Sequence, residues 1–322
     1  MNALPSLKIK TALETPNAGY EPYDDLRHRA RAGGRARDSL FWEMIMPDER
    51  LGFQAYLYLS GNGKAGFNVA VWGPDPNKQA LDLAQAEVPD GIDLDAFSFE
   101  GLTLTQPVLR RTARLQYESA KVKLDFNFAA LHEPFSYKQN PDGLPDWFAI
   151  NRFEQTGWVT GFLEFGGRRI EWSRVGHRDH SWGVRNWGMP HHWKWFIAYT
   201  PDGERIVNGW IWIAKGEWGF GGYVVRNGEM LPVSHVEHHT EYTDEMLQRR
   251  MLADLHDTRG GVTRLEMESF GVVKLPTNDK MDTIIYEAAC NVSIDGHAGA
   301  GQFETHWPKK YLEHLVASTK GH

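Results

Sequence analysis

Phe53-Gln54-Ala55-Tyr56-Leu57-Tyr58-Leu59-Ser60 decides the fold class of this chain, because its character alternates residue by residue. Phe53, Ala55, Leu57 and Leu59 form one side; Gln54, Tyr56, Tyr58 and Ser60 form the other. A period of two belongs to a strand whose two faces meet different surroundings. Gly61-Asn62-Gly63-Lys64 then supplies a turn, and Phe67, Val69 and Val71 resume the alternation. Val122, Leu124, Phe126 and Phe128 alternate with Lys123, Asp125 and Asn127, as a half-exposed antiparallel strand does. Arg226-Asn227-Gly228-Glu229 carries the Asn-Gly hairpin signal. Further strands are predicted near 157–165, 168–175, 193–199, 206–213, 218–225, 262–273 and 283–293. Helical character is confined to a short C-terminal segment, Pro308 to Leu315. Many short strands with turns between them predict an all-β protein built from barrels or sandwiches.

The chain also repeats itself at an offset of 154 residues. Phe41-Trp42 is followed by Pro47-Asp48-Glu49-Arg50, and Trp195-Phe196 by Pro201-Asp202-Gly203-Glu204-Arg205. The same offset pairs Tyr56 with Trp210 and Tyr58 with Trp212. Two tandem domains of similar build are therefore expected: an arm over residues 1–37, a first domain over 38–188 and a second over 189–322. In a barrel, alternate residues face inward, so the stripe Trp193, Trp195, Ile197 and Tyr199 reads as a core face or a cavity wall.

Composition narrows the partners. The chain has 322 residues, 13 tryptophans, 32 glycines and a formal net charge of −7. That charge gives no reason to expect nucleic acid or an anionic membrane as partner. The basic run Arg27 to Arg37, with five arginines, reads as a solvated arm or a cover over a neighbouring element. Cys290 is the single cysteine and sits in an apolar strand pattern, so it reads as core. No apolar signal core follows Met1-Asn2-Ala3-Leu4-Pro5, and no run of about eighteen apolar residues occurs. A soluble cytoplasmic protein is expected, with its oligomeric state left open. No glycine-rich nucleotide loop opens a helix, and no Gly-x-Ser-x-Gly elbow is present. Gly219-Phe220-Gly221-Gly222 lies within a strand, where glycines mark bulges or close packing.

The candidate chemistry lies in Gly176-His177-Arg178-Asp179-His180-Ser181-Trp182-Gly183-Val184-Arg185-Asn186-Trp187. It gathers two histidines, a carboxylate, two arginines and two tryptophans. Acid and base groups beside flat apolar walls are what a proton-transfer site needs. Asp179, His177 and His180 are the candidate catalytic residues. Arg178, Arg185, Trp182, Trp187, Trp193 and Trp195 are the candidate substrate-binding residues. The competing reading is a buried ion-pair cluster that locks a domain junction. A metal reading would draw on His177, His180, His191, His192 and Asp179, and His235, Glu237, His238 and His239 form a second histidine-rich group. No His-Glu-x-x-His signature supports either, so no metal and no other cofactor is expected.

On these residues the chain resembles the two-domain lipocalin-like proteins. That group includes carotenoid 1,2-hydratases (hydroxyneurosporene synthases), AttH-like proteins, kievitone hydratase and lipocalin-like Diels–Alderases. The likeness is strongest to bacterial members with the pattern Gly-His-Arg-Asp-His-Ser-Trp-Gly-x-Arg-x-Trp, here Gly176 to Trp187. Phe41-Trp42-Glu43 through Trp72 and the lead-in Phe153-Glu154-Gln155-Thr156-Gly157 also fit, so the resemblance spans residues 38–322. It implies two tandem lipocalin-like β-barrels. It also implies that Asp179, which matches the aspartate of the hydratases' Asp-His-x-Trp-Gly stretch, is the proton donor, and that no metal is needed. His177-Arg178 departs from the carotenoid enzymes' pattern. The added charge argues for a smaller, oxygenated ligand, such as a phenolic, steroid or terpenoid, over a long polyene.

Two functions follow. One is a cofactor-free lyase or isomerase in which a carboxylic acid kept neutral by an apolar pocket supplies a proton. If Arg178 instead keeps Asp179 charged, Asp179 orients His177 or His180 as base, and Arg178 or Arg185 holds an oxyanion. The other is a non-catalytic carrier of a hydrophobic small molecule.

Overall fold

The computed structural model describes residues 7–11, 22–28, 36–275 and 282–319. The first six residues, and Arg29, Arg31 and Arg35 of the basic run, lie outside these. The described strands are β1 (Lys10–Thr11), β2 (Ala36–Met46), β3 (Leu51–Ser60), β4 (Lys64–Trp72), β5 (Ala80–Glu87), β6 (Ala96–Phe99) and β7 (Leu102–Val108). Next come β8 (Thr112–Glu118), β9 (Val122–Ala130), β10 (Phe135–Ser136), β11 (Asn151–Phe165), β12 (Arg168–Val184), β13 (Pro190–Tyr199) and β14 (Ile206–Ala214). Last are β15 (Glu217–Arg226), β16 (Glu229–Tyr242), β17 (Gln248–Asp257), β18 (Val262–Leu275), β19 (Thr283–Ile294) and β20 (His297–Pro308), followed by α1 (Lys309–Thr319).

Two sheets result. The first runs β5-β4-β3-β2-β12-β11-β9-β8-β7-β6, with β10 on β11, and stays open as a half barrel. The second pairs β13 through β20 in succession, joins β13 to β20 and β16 to β17, and so closes an eight-stranded antiparallel barrel. The tandem barrel-like architecture expected from the alternation is therefore present, with one copy closed and one open. The offset repeat has a structural meaning as well. Phe41-Trp42 lies on β2 and Trp195-Phe196 on β13; each strand leads through a Pro-Asp turn into the next strand, β3 or β14.

Alternation sorts the side chains into three apolar layers. Leu40, Trp42, Met44 and Met46 fill the half barrel, while their neighbours Phe41 and Ile45 face the barrel. Phe196 and Ala198 fill the barrel interior together with Cys290. Trp193, Trp195, Ile197 and Tyr199 point out of the barrel into the layer shared with the half barrel. A strand buried on both faces loses its polar side, and for that reason β2 is continuously buried from Ser39 to Met46.

Hydrogen bonds stitch the two sheets together. The Tyr199 hydroxyl accepts from Ile45 N–H at 3.1 Å and donates to Glu43 Oε2 at 3.3 Å. Asn140 donates to the carbonyls of Gly222 and Val233 at 2.7 and 2.8 Å and accepts from Gly222 N–H at 3.1 Å. Gly222 has φ +123°, and a Cβ there would stand 2.0 Å from Asn208 O, so the glycine run does mark close packing. Helix α1 buries Leu312 against Ile284, Tyr286 and Trp307 at one end of the barrel. Among the described residues no helix is long and apolar enough to cross a membrane.

One expectation is corrected. A strand was predicted near 168–175, stopping short of the polar run. Instead β12 spans 17 residues, from Arg168 to Val184, and carries the run through Val184 inside the sheet. Cross-strand pairing to β11 and β2 continues through the polar residues, which supplies the backbone partners that a turn would have lacked.

Candidate active site

Because the run is a strand, its odd and even residues part company. His177, Asp179 and Ser181 share a face with their β11 partners Thr156, Glu154 and Arg152 and with Glu43, Phe41 and Ser39 of β2. Arg178, His180 and Trp182 share the opposite face with Gln155 and Phe153.

The even face is an anchor. Arg178 donates to both oxygens of Asp25 at 3.1 and 2.9 Å, to Gln106 at 2.8 Å and to Gln155 at 2.9 Å. His180 Nε2 bonds Asp38 Oδ1 at 3.1 Å. His28 bridges Asp38 and Asp24 at 2.7 and 2.9 Å and stacks on Trp182 with centroids 4.1 Å apart. Burial opposes ionisation of Asp25, but Arg178 and then His180 hold its carboxyl well below the usual range. For His180, burial is outweighed by the nearby carboxylates of Asp25 and Asp38, which raise its pKa. Arg178, His180 and Trp182 therefore clamp the segment of residues 22–28 to the half barrel and do not reach the cavity described next. The ion-pair reading of the run holds for this face.

Among the described residues, His177, His180, His191, His192 and Asp179 do not converge as one set; His180 joins a different one. Among the described residues, one set of histidine and carboxylate atoms converges, His28, Asp38 and His180, within 4.8 Å of one another. Those atoms already bond each other. His192 donates to His306 O at 2.7 Å, and the His235 ring rests on Phe220.

The odd face opens on a cavity of about 620 Å³ between the two sheets. Phe41, Tyr56 and Phe148 wall it from the half barrel; Trp193, Trp195 and Trp210 wall it from the barrel. Asp179 lines it, and Arg152 Nη2 donates to Asp179 Oδ2 at 2.9 Å. Burial raises the Asp179 pKa to about 7, helped by the negative charges of Glu154 and Glu304 and opposed by Arg152 and Arg185. Arg178, the neighbour in sequence, takes no part.

Behind Asp179 stands a fixed row of polar groups. Glu154 receives Arg152 Nε at 2.5 Å, His177 Nε2 at 2.7 Å and Trp195 Nε1 at 3.3 Å. Burial works against its charge, and Arg152 and His177 overcome it, so Glu154 is held below its usual range. Burial lowers the His177 pKa against the pull of Glu154. The neutral ring then donates through Nε2 to Glu154 and accepts the Thr156 hydroxyl at Nδ1, 3.0 Å away. Thr156 also meets the Tyr223 hydroxyl at 3.0 Å, and its N–H donates to His132 Nε2 at 2.8 Å. His132 in turn donates through Nδ1 to the Glu133 carbonyl at 2.7 Å, which fixes its tautomer.

The barrel wall supplies a second acid group. Glu287 on β19 is the cross-strand partner of Glu304 on β20, and both line the cavity. Burial raises the Glu287 pKa far above the usual range, and the adjacent Glu304 adds to it. Glu287 therefore carries a proton and shares it with Glu304, while Gln302 donates to Glu287 at 2.8 Å. Arg37 and Arg185 complete the lining, beside Trp187.

Of the residues singled out in the sequence, Asp179, Arg185, Trp187, Trp193 and Trp195 meet at the cavity, and His177 stands one layer behind. Arg37, Arg152, Glu154, Glu287 and Glu304 were missed. The alternation Arg152, Glu154, Thr156 along the lead-in to Gly157 was a usable signal, as was the lone carboxylate of Glu287 in an apolar run.

Structural comparison places the fold among known ones. An AttH-like protein from Nitrosomonas europaea matches with TM-score 0.63 and 16% identity, over 94% of this chain and 98% of its own. Kievitone hydratase from Nectria haematococca matches with TM-score 0.62 and 12% identity, over 94% and 97%. CghA, solved with Sch210972, matches with TM-score 0.55 and 12% identity, over 94% and 95%. At these identities the likeness is one of fold. A sequence search of the curated proteins finds no match. Residues 21–309 match the model of a domain of unknown function, DUF7064, and the chain belongs to that family.

Proposed function

We propose that this protein is a lyase or isomerase of the hydratase type. It moves a proton on a hydrophobic, oxygenated small molecule the size of a phenolic, terpenoid or steroid, with Asp179 as the acid. The carrying observation is the state of Asp179. Its carboxyl lines an aromatic cavity, is anchored through one oxygen by Arg152, and titrates at about 7. A general acid works best with its pKa near the working pH. The cavity volume of about 620 Å³ lies within the usual range for a small-molecule site, about 300–1,000 Å³.

In the hydration direction Asp179 gives its proton to an alkene carbon. The electron-deficient carbon left behind lies against the Trp193 and Trp195 faces, whose quadrupoles favour positive charge. Water adds to it, and the proton released passes to the Glu287–Glu304 pair, which holds one proton and has room for another. Dehydration is the same path reversed. Arg152, Glu154 and His177 act as positioning residues that keep the Asp179 carboxyl in place. The fold shared with kievitone hydratase supports this class of chemistry.

The test is solvent-deuterium incorporation at carbon, followed by mass spectrometry over a panel of unsaturated and hydroxylated phenolics and terpenoids. On the substrate so found, Asp179→Asn is expected to lose about 100- to 10,000-fold in turnover while staying folded. A folded Asp179→Asn protein with undiminished turnover refutes the role of Asp179. Ligand binding without exchange in the wild type refutes the enzyme and favours a carrier.

A further inference from the structure

Every other arginine buried near the cavity has a carboxylate. Arg152 pairs with Glu154 and Asp179, and Arg178 pairs with Asp25. Arg37 and Arg185 differ: among the described residues neither forms an ion pair, and the Nε of each is buried without a hydrogen-bond partner. What holds them is aromatic. Arg37 lies over the Tyr58 and Trp187 rings at 5.5 Å each, and Arg185 over Phe148 at 4.8 Å and Trp187 at 5.5 Å. Arg185 also donates to Ser181 Oγ. Rings orient a guanidinium without neutralising it. The two cations therefore share one tryptophan, repel each other and, apart from the Arg185 bond to Ser181, present their guanidinium groups to the cavity with no carboxylate paired to them among the described residues. Burial and the neighbouring Arg37 lower the Arg185 pKa to about 10, the direction expected of an uncompensated pair.

We propose that Arg37 and Arg185 form a subsite for a carboxylate, so that the ligand of this cavity is a hydrophobic, ring-bearing carboxylic acid. Planar guanidinium forks match a carboxylate in shape and charge. Asp179, Glu287 and Glu304 line the same cavity and disfavour an anion beside them, so the two arginines without a carboxylate of their own are the place for one. These acidic groups also disfavour a doubly charged phosphate relative to a singly charged carboxylate. This inference rests on the small-molecule reading of the cavity and is independent of any reaction at Asp179.

The experiment is calorimetric titration of the full chain with 2-naphthoate and with 2-naphthamide, its neutral isostere. The carboxylate is expected to bind about ten- to a hundredfold more tightly, the scale of hydrogen bonds to charged groups. Arg37→Gln and Arg185→Gln should each reduce that preference and together remove it, with amide affinity unchanged. Arg37→Lys, which keeps the charge but not the planar fork, should retain only part of it. Circular dichroism checks the fold; if the double variant unfolds, Arg37→Gln alone decides. Equal binding of acid and amide by the wild type overturns the subsite and leaves the proton-transfer proposal standing. So does a preference that survives in the variants, or tighter binding of 2-naphthyl phosphate than of 2-naphthoate. Binding of neither probe overturns the subsite and the small-molecule reading together.

Discussion

Replacing Asp179 by asparagine should stabilise the protein at alkaline pH. In the folded chain Asp179 keeps its proton up to about pH 7, against a reference value of 3.8. Between those values the folded state binds a proton that the unfolded state has released. Stability conferred by this residue therefore falls as pH rises through the window and levels off above it. At about 1.4 kcal/mol per pH unit, the span amounts to about 4 kcal/mol. Little solvent screening reduces it, since the side chain is 9% exposed. Asparagine has nearly the same shape and no charge to bury. The assay is urea unfolding of both proteins at pH 4 and pH 8.5. Titrations away from the cavity are shared, so the difference between the two isolates position 179 together with the carboxyls that interact with it, Glu154 and Glu304. The variant should gain up to about 4 kcal/mol on the wild type between the two pH values. A gap that does not change with pH, or one that favours the wild type at pH 8.5, refutes the reasoning. The same substitution is expected to abolish most turnover, so stability is here given up for a reactive acid.

Three further outcomes test the scaffold. Asp25→Asn leaves Arg178 buried without its counter-charge and should cost about 3–5 kcal/mol, read as a lowered melting temperature at pH 7. Tyr199→Phe removes the acceptor of Ile45 N–H and the donor to Glu43, and should cost about 1–3 kcal/mol in urea unfolding. Glu43→Gln should be nearly neutral at pH 7, because burial already raises the Glu43 pKa well above the usual range and keeps it uncharged.

The β-architecture was legible because half-exposed strands print their period on the sequence. Val122–Ala130 alternates buried and half-buried throughout, as its residues suggest. Where both faces are buried that print fades. Residues Arg178 to Trp182 are buried on either side of β12, so polar residues follow each other without interruption and the period of two is lost beyond 175. The same cause explains the mixed outcome for the candidate site. Asp179, Trp187, Trp193 and Trp195 line the cavity, while Arg178, His180 and Trp182 were assigned to it without knowledge of the strand phase. Glu287 and Glu304 come from β19 and β20, more than a hundred residues from Asp179, and only the docking of two sheets brings them near it. Arg37 was read as part of a solvated arm or cover because its neighbours are basic; its place at the cavity depends on β2 beginning at Ala36, within the expected arm.

Strand β12 works as a partition wall, with the ion-pair cluster on one side and the cavity on the other. Such a wall has parity. Inserting or deleting one residue ahead of Gly176 would turn every later side chain through half a turn. Asp179 would enter the ion-pair cluster of Asp25 and Asp38, and Arg178 would enter the cavity beside Glu304. Two residues, by contrast, would restore the phase. Length changes in this strand are thus tolerable only in even steps, or where a bulge absorbs the odd one. Consecutive positions of the run should also fail in different ways when mutated: even-numbered residues by loss of the fold, odd-numbered ones by loss of the reaction.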